Sequence, residues 1–126
     1  MGRRLAGLPD PPSLLVASPA RRAAETAEAI AAHLEPAPEI AWDRALYLGA
    51  ADTLLDAVLG LDPVHAHAAL LAHNPGITDF VNRLANADIE NVPTCGVVRL
   101  EFTIDEWRLA QPGRANVIDF DYPKRP

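Results

Sequence analysis

Several things are scarce in this chain, and each scarcity excludes something. A single cysteine, Cys95, in 126 residues rules out an internal disulfide and leans towards a reducing, cytoplasmic setting. Set in "PTCGVVRLEF", it reads as a small residue opening a strand, because nothing around it supplies the electropositive setting a reactive thiol needs. No apolar run approaches the ~18 residues of a membrane span, and "MGRRLAGLPDPP" lacks the apolar stretch of a signal peptide, so neither export nor anchoring is expected. Basic residues are the minority. Eleven Lys and Arg against seventeen Asp and Glu give a net charge of −6, which excludes a general nucleic-acid or anionic-membrane surface and makes any anion site a local one. The sequence has no Gly-rich phosphate loop, no CxxC pair and no Gly-x-Ser-x-Gly elbow.

What is present is the composition of a globular protein, 49% hydrophobic and 22% charged. At this length the expectation is one domain over 1–126, able to bury somewhat under about 70% of its unfolded surface. Met1 to Gly7 is too short to be a helix by itself. A strand over Ser13 to Ser18 follows the loop "LPDPP", with Ser18 as N-cap and Pro19 as first residue of a helix running to about Leu34. Ala23, Ala27, Ile30, Ala31 and Leu34 form that helix's apolar stripe, with Glu25 and Glu28 off it. "IAWDRALYL" is a short strand and loop, and "AADTLLDAVLGL" a helix with Leu54, Leu55, Val58 and Leu59 on one side, closed by Gly60. "HAALLA" is a second buried run, followed by the helical "ITDFVNRLANA". Alternating strand and helix argues for right-handed βαβ units and a parallel sheet. Beyond it, "GVVRLEF", "EWRLAQP" and "NVIDFDYP" are β-like, the first two joined by "TID" as a hairpin. "YPKRP" reads as a frayed tail.

The chemistry concentrates at two strand ends. "LLVASPARRAAETAEAI" carries an apolar strand straight into a helix whose first turn holds Arg21 and Arg22. A helix N-terminus offers free backbone N–H groups and partial positive charge, a place for an anion, though arginines there also serve as plain solvated residues. In "LLAHNPGITDF", His73 follows the other apolar run, at the carboxyl end of a parallel strand, the rim where open α/β sheets hold ligands. Arginine's planar fork suits phosphate oxygens, and histidine can donate to phosphate or exchange a proton near neutral pH. The competing role for His73 is to cap the next helix. His65 and His67 have a spacing that could serve a metal but lack a third ligand, so no metal is assigned. His33 sits at a helix C-terminus, where the dipole explains it.

These residues resemble the histidine phosphatase superfamily. "VASPARRAAETAEAI" is similar to its Ser-Pro-x-x-Arg-x-x-x-Thr segment, with Ser18, Pro19, Arg22 and Thr26 at the matching places, and "LLAHNPGITDFVNRLA" to its second-histidine segment, with His73. "DRALYLGAADTLLDAV", "NVPTCGVVRLEF" and "DFDYPKRP" resemble the small SixA-type phosphohistidine phosphatase branch. The resemblance implies a three-layer, phosphoglycerate-mutase-like α/β sandwich, its sheet mostly parallel with a C-terminal antiparallel hairpin. It also implies hydrolysis of a phosphoryl group through a phosphohistidine intermediate, with no metal and no cofactor. It makes Arg22 a phosphate ligand and His73 both a phosphate ligand and the catalytic histidine that contacts the phosphoryl group in the transition state. Arg21 falls to solvent, and Asp52 lies loosely where some branches keep a proton donor. The implied partner is a phosphorylated protein, through phosphohistidine, or a small phosphate-containing ligand.

One departure stands out. Family members open with a strand ending in Arg-His-Gly, whose histidine is the nucleophile, and this chain contains no Arg-His pair. Met1 to Ala6 resembles the end of the helix after that strand, so about 35 to 40 residues, roughly one βα unit, are expected to be missing. Three explanations follow, in order: a wrongly started or shortened product, a genuine short protein keeping a non-catalytic phosphate or phosphoprotein binding module, or another histidine acting as nucleophile. The expectation is a phosphohistidine phosphatase-like chain with weak or no activity and no nucleophile of its own.

Overall fold

A computed structural model describes residues 11–47, 49–93 and 96–122. Cys95, the Met1 to Gly7 segment and the closing residues 123–126 lie outside the described residues. Residues 11–47 and 62–73 form one compact unit, and 49–61 with 74–93 and 96–122 form another.

The first unit is a three-stranded parallel sheet with one helix. Strand β1 (Leu14–Ala17) is central, pairing in parallel with β2 (Glu39–Trp42) on one side and β3 (Ala68–Leu71) on the other. All four β1 residues are buried, which is what an uninterrupted apolar run requires when both faces of a strand are covered. Helix α1 (Arg21–Ala32) connects β1 to β2 and buries Ala23, Ala27 and Ile30, with Leu34 buried just beyond it. Its stripe is the expected one, except that Ala31 is only half-buried.

The helix starts later than the sequence suggests. Its N-cap is Ala20, without a side-chain hydrogen bond, so Ser18 is not the N-cap and Pro19 is not helical. The Ser18 hydroxyl instead accepts from the Ala20 N–H at 3.2 Å, a local turn that competes with capping because a short hydroxyl side chain can reach the amide two residues on.

The second unit contains α2 (Ala51–Leu59), α3 (Gly76–Ala85) and an antiparallel pair, β4 (Val97–Phe102) with β5 (Ala115–Asp121). Helix α2 buries Ala51, Leu54 and Val58, while Leu55 and Leu59 flank that stripe half-buried. Helix α3 buries Phe80, Val81 and Leu84 and ends on Asn86, whose φ of 50° is the left-handed conformation asparagine tolerates at a helix end. Asn74 donates to the Val92 carbonyl at 2.8 Å, and the Thr78 hydroxyl donates to Asn74 while accepting from the Val92 N–H.

The hairpin partner differs from the expected one. "EWRLAQP" does not pair with β4; Trp107–Leu109 is a single 3₁₀ turn, and β4 pairs with "ANVIDFD". Trp107 and Ala110 stand three residues apart, a spacing that suits one turn as well as Trp107 and Leu109 suit a strand. The turn wins by burying Ala110 and setting Trp107 edge-on against Phe102, ring centres 5.7 Å apart. Gly113, at φ 82°, then turns the chain into β5.

Gly76 opens α3 so close to the Gly49 carbonyl that a Cβ there would overlap it. Gly76→Ala is expected to destabilise the protein by about 1 to 3 kcal/mol, the usual penalty of forced overpacking. Thermal unfolding would show it as a lowered midpoint, and an unchanged midpoint would mean that this approach is not tight.

Candidate functional site

The carboxyl end of the three-stranded sheet brings Ser18 and His73 together at the start of α1. Ser18 follows β1, Trp42 ends β2, and His73 follows β3 by two residues. The strands are in register, so Ala17, Trp42 and Leu71 form one row at that rim. The Ser18 N–H donates to the Leu71 carbonyl at 3.0 Å, extending the ladder one step past the strands.

His73 is oriented from two sides. Its Nε2 lies 2.9 Å from the hydroxyl of Ser18, a fully buried residue. With the proton on Nδ1 the hydroxyl donates to Nε2; in the imidazolium, Nε2 donates to the hydroxyl. The Ala20 N–H occupies one lone pair of Ser18 and fixes the oxygen. The Tyr47 ring meets the imidazole edge-on, centres 5.7 Å apart at 72°, which limits rotation of the histidine ring. Nδ1 is then the imidazole nitrogen without a protein partner among the described residues. His73 caps no helix: α3 has Pro75 at its N-cap position and no side-chain cap.

Arg22 stands in the first turn of α1 and is exposed. None of the ion pairs among the described residues involves it, whereas Arg21 donates to Glu25 at 2.9 Å one turn along. Thr26 supports the same turn, its hydroxyl donating to the Arg22 carbonyl at 2.9 Å. The first N–H groups of a helix have no acceptor within it. Here no side chain caps them and no acidic residue sits in the first turn. The positive end of the helix dipole is therefore uncompensated at the strand end that bears Ser18.

The other three histidines lie elsewhere. Ser13, which precedes β1, has its hydroxyl 2.7 Å from His65 Nδ1, and its N–H donates to the His67 carbonyl. His65 Nε2 is 3.6 Å from Glu39, the first residue of β2. His33 caps the C-terminus of α1 with Nδ1 2.8 Å from the Ala29 carbonyl, and a helix joining two parallel strands must end where the second begins. All three belong to the amino end of the sheet, about 13 Å away across four strand residues. His73 is alone at the carboxyl end. Among the described residues no group of three His, Cys, Asp or Glu is placed to hold a metal, and no helix is long and apolar enough to cross a membrane. In the second unit Asp52 pairs with Arg83 of α3 at 2.9 Å.

Compared with solved structures, the chain superposes on a proposed phosphohistidine phosphatase SixA from Nakamurella multipartitia with a TM-score of 0.76, at 22% identity, over 98% of this chain and 78% of that one. The chain has the SixA fold. A proposed phosphohistidine phosphatase SixA from Agrobacterium tumefaciens gives 0.71 at 21% identity, over 89% of this chain and 68% of that one. No family model matches the sequence, and no curated protein does. The SixA fold bears out the mixed α/β class with a parallel sheet and a C-terminal antiparallel pair. Two residues at the rim were not singled out from the sequence for the contacts they make. Ser18 looked like a cap, and Tyr47, twenty-six positions from His73, gave no local signal.

Proposed function

We propose that this chain is a phosphohistidine phosphatase-like domain that binds a phosphoryl group at the carboxyl end of its three-stranded sheet and turns it over weakly or not at all. Arg22 takes two phosphoryl oxygens through its fork, the open N–H groups of α1 take the anion's remaining charge, and His73 donates from Nδ1. The ligand class is a phosphohistidine on a protein or a small phosphate-containing molecule. The observation that carries this reading is the grip of the buried Ser18 hydroxyl on His73 Nε2 at the strand end from which the uncapped α1 starts, which leaves Nδ1 without a protein partner among the described residues. In SixA-type chemistry His73 would contact the phosphoryl group in the transition state. A covalent step needs a second histidine in line with it, and the other three belong to the opposite end of the sheet. The reading of another histidine as nucleophile therefore loses support, and a binding module without turnover gains it.

Titration with inorganic phosphate, followed through the histidine ring resonances, tests the site. The His73 signals should move with saturation, and Arg22→Ala should weaken binding by about tenfold or more, the size of a charge-assisted hydrogen bond. An affinity unchanged in Arg22→Ala would remove the arginine from the site.

A further inference from the structure

Tyr47 stands beside His73 with no part in holding a phosphoryl group, and its place is set by the backbone before it. The Asp43 N–H donates to the Ala17 carbonyl at 2.9 Å, carrying the β1–β2 ladder one step past the strands. The Asp43 carboxylate accepts from the Ala45 N–H at 2.9 Å and opens a 3₁₀ turn, Arg44–Leu46. Leu46 anchors that turn by full burial, and the Tyr47 N–H closes it on the Arg44 carbonyl at 3.1 Å. The tyrosine is thus tied to the end of β1, the strand that Ser18 follows.

Only part of the ring is used. The Tyr47 hydroxyl makes no hydrogen bond among the described residues, and the residue is 51% exposed. Its edge-on contact with the imidazole, centres 5.7 Å apart at 72°, takes at most one face of the tyrosine and leaves the other. Aromatic rings attract one another at centre separations of about 4.5 to 7 Å. A ring joined directly to a phosphoryl group at His73 Nδ1 therefore comes within range of Tyr47. Trp42, 48% exposed, also stands at this rim, but it pairs with Ala17. Successive residues of a strand point to opposite faces, so Trp42 lies on the face away from Ser18.

We propose that Tyr47 is a specificity-determining residue of this site, favouring compounds whose phosphoryl group is joined directly to a planar ring over those that carry it on a saturated group. The inference rests on the phosphoryl-binding reading of the rim and adds a residue and a selectivity to it. Every residue it uses belongs to the first unit.

Phenyl phosphate and cyclohexyl phosphate, titrated against the full chain at a pH where both are dianions, test it through the His73 ring signals. The two share charge and approximate size and differ in planarity. Phenyl phosphate should bind about threefold to tenfold more tightly, the size of one aromatic pair. Tyr47→Phe and Trp42→Leu should keep that ratio, and Tyr47→Leu should bring it close to one. The ratio is the readout because Tyr47 also limits rotation of His73, which affects both ligands alike. A phosphotyrosine peptide presents the same ring on a chain: with the ratio intact, tighter binding than phenyl phosphate assigns the ring to a protein and weaker binding to a free compound, and either result supports the proposal. Equal affinities in the unaltered chain, or a preference that survives Tyr47→Leu, overturn it while the phosphoryl site stands. Inorganic phosphate that leaves the His73 signals unmoved overturns the phosphoryl reading and this inference with it.

Discussion

Phosphate release from a phosphohistidine peptide is expected to stay at the spontaneous rate when this chain is added, and His73→Ala is expected to leave that rate unchanged. The reason is geometric. Displacement at phosphorus needs a nucleophile held in line with the leaving group, and such positioning contributes about 7 to 11 kcal/mol, or roughly five to eight orders of magnitude in rate. In the roles proposed for them, Arg22, the α1 N-terminus and His73 stabilise charge and none of them attacks phosphorus. His65 and His67 are held beside Ser13 at the amino end, and His33 is tied to its own helix. Phosphorus NMR of the peptide reads the outcome directly. Rapid release that disappears in His73→Ala would show that a nucleophile is present and would overturn the binding-only reading.

Leu15→Ala should produce the largest stability loss of a single truncation near the site, about 3 to 5 kcal/mol. Leu15 is fully buried in the central strand, opposite Ile40 of β2 and Ala69 of β3. Neither neighbour strand can close the void without leaving its ladder. A loss of that size is a large share of the 5 to 15 kcal/mol that domains usually possess. In urea it appears as a lower midpoint at constant slope. Val64→Ala is the control, since Val64 is 76% exposed and should stay within about 0.5 kcal/mol. A Leu15→Ala loss below about 1 kcal/mol would mean that β1 is not the centre of the sheet. Because Ser18 follows β1 directly, phosphate affinity should fall in the same variant.

Sequence made the first half of the chain legible where one physical demand dominates. Leu14 to Ala17 could only be a strand covered on both faces, and the spacing of Ala23, Ala27 and Ile30 fixed the buried side of α1. Placing Arg22 and His73 at strand ends needed no more than the order of elements. What stayed hidden was decided by contacts distant in the chain. Ser18 satisfies the rules for an N-cap, and only the imidazole fifty-five residues on turns its hydroxyl to another use. Trp107 and Leu109 alternate like a strand, yet burial of Ala110 and the ring of Phe102 favour a turn. Tyr47 has an ordinary place in a loop until β3 brings His73 beneath its edge.

The distribution of histidines gives this protein a built-in reference set. One imidazole sits at the rim where an anion would arrive, and three sit beyond the far ends of the same strands. A single titration therefore carries its own controls. Movement of one set of ring signals reports a local event, whereas movement of all four reports a change of pH, ionic strength or fold.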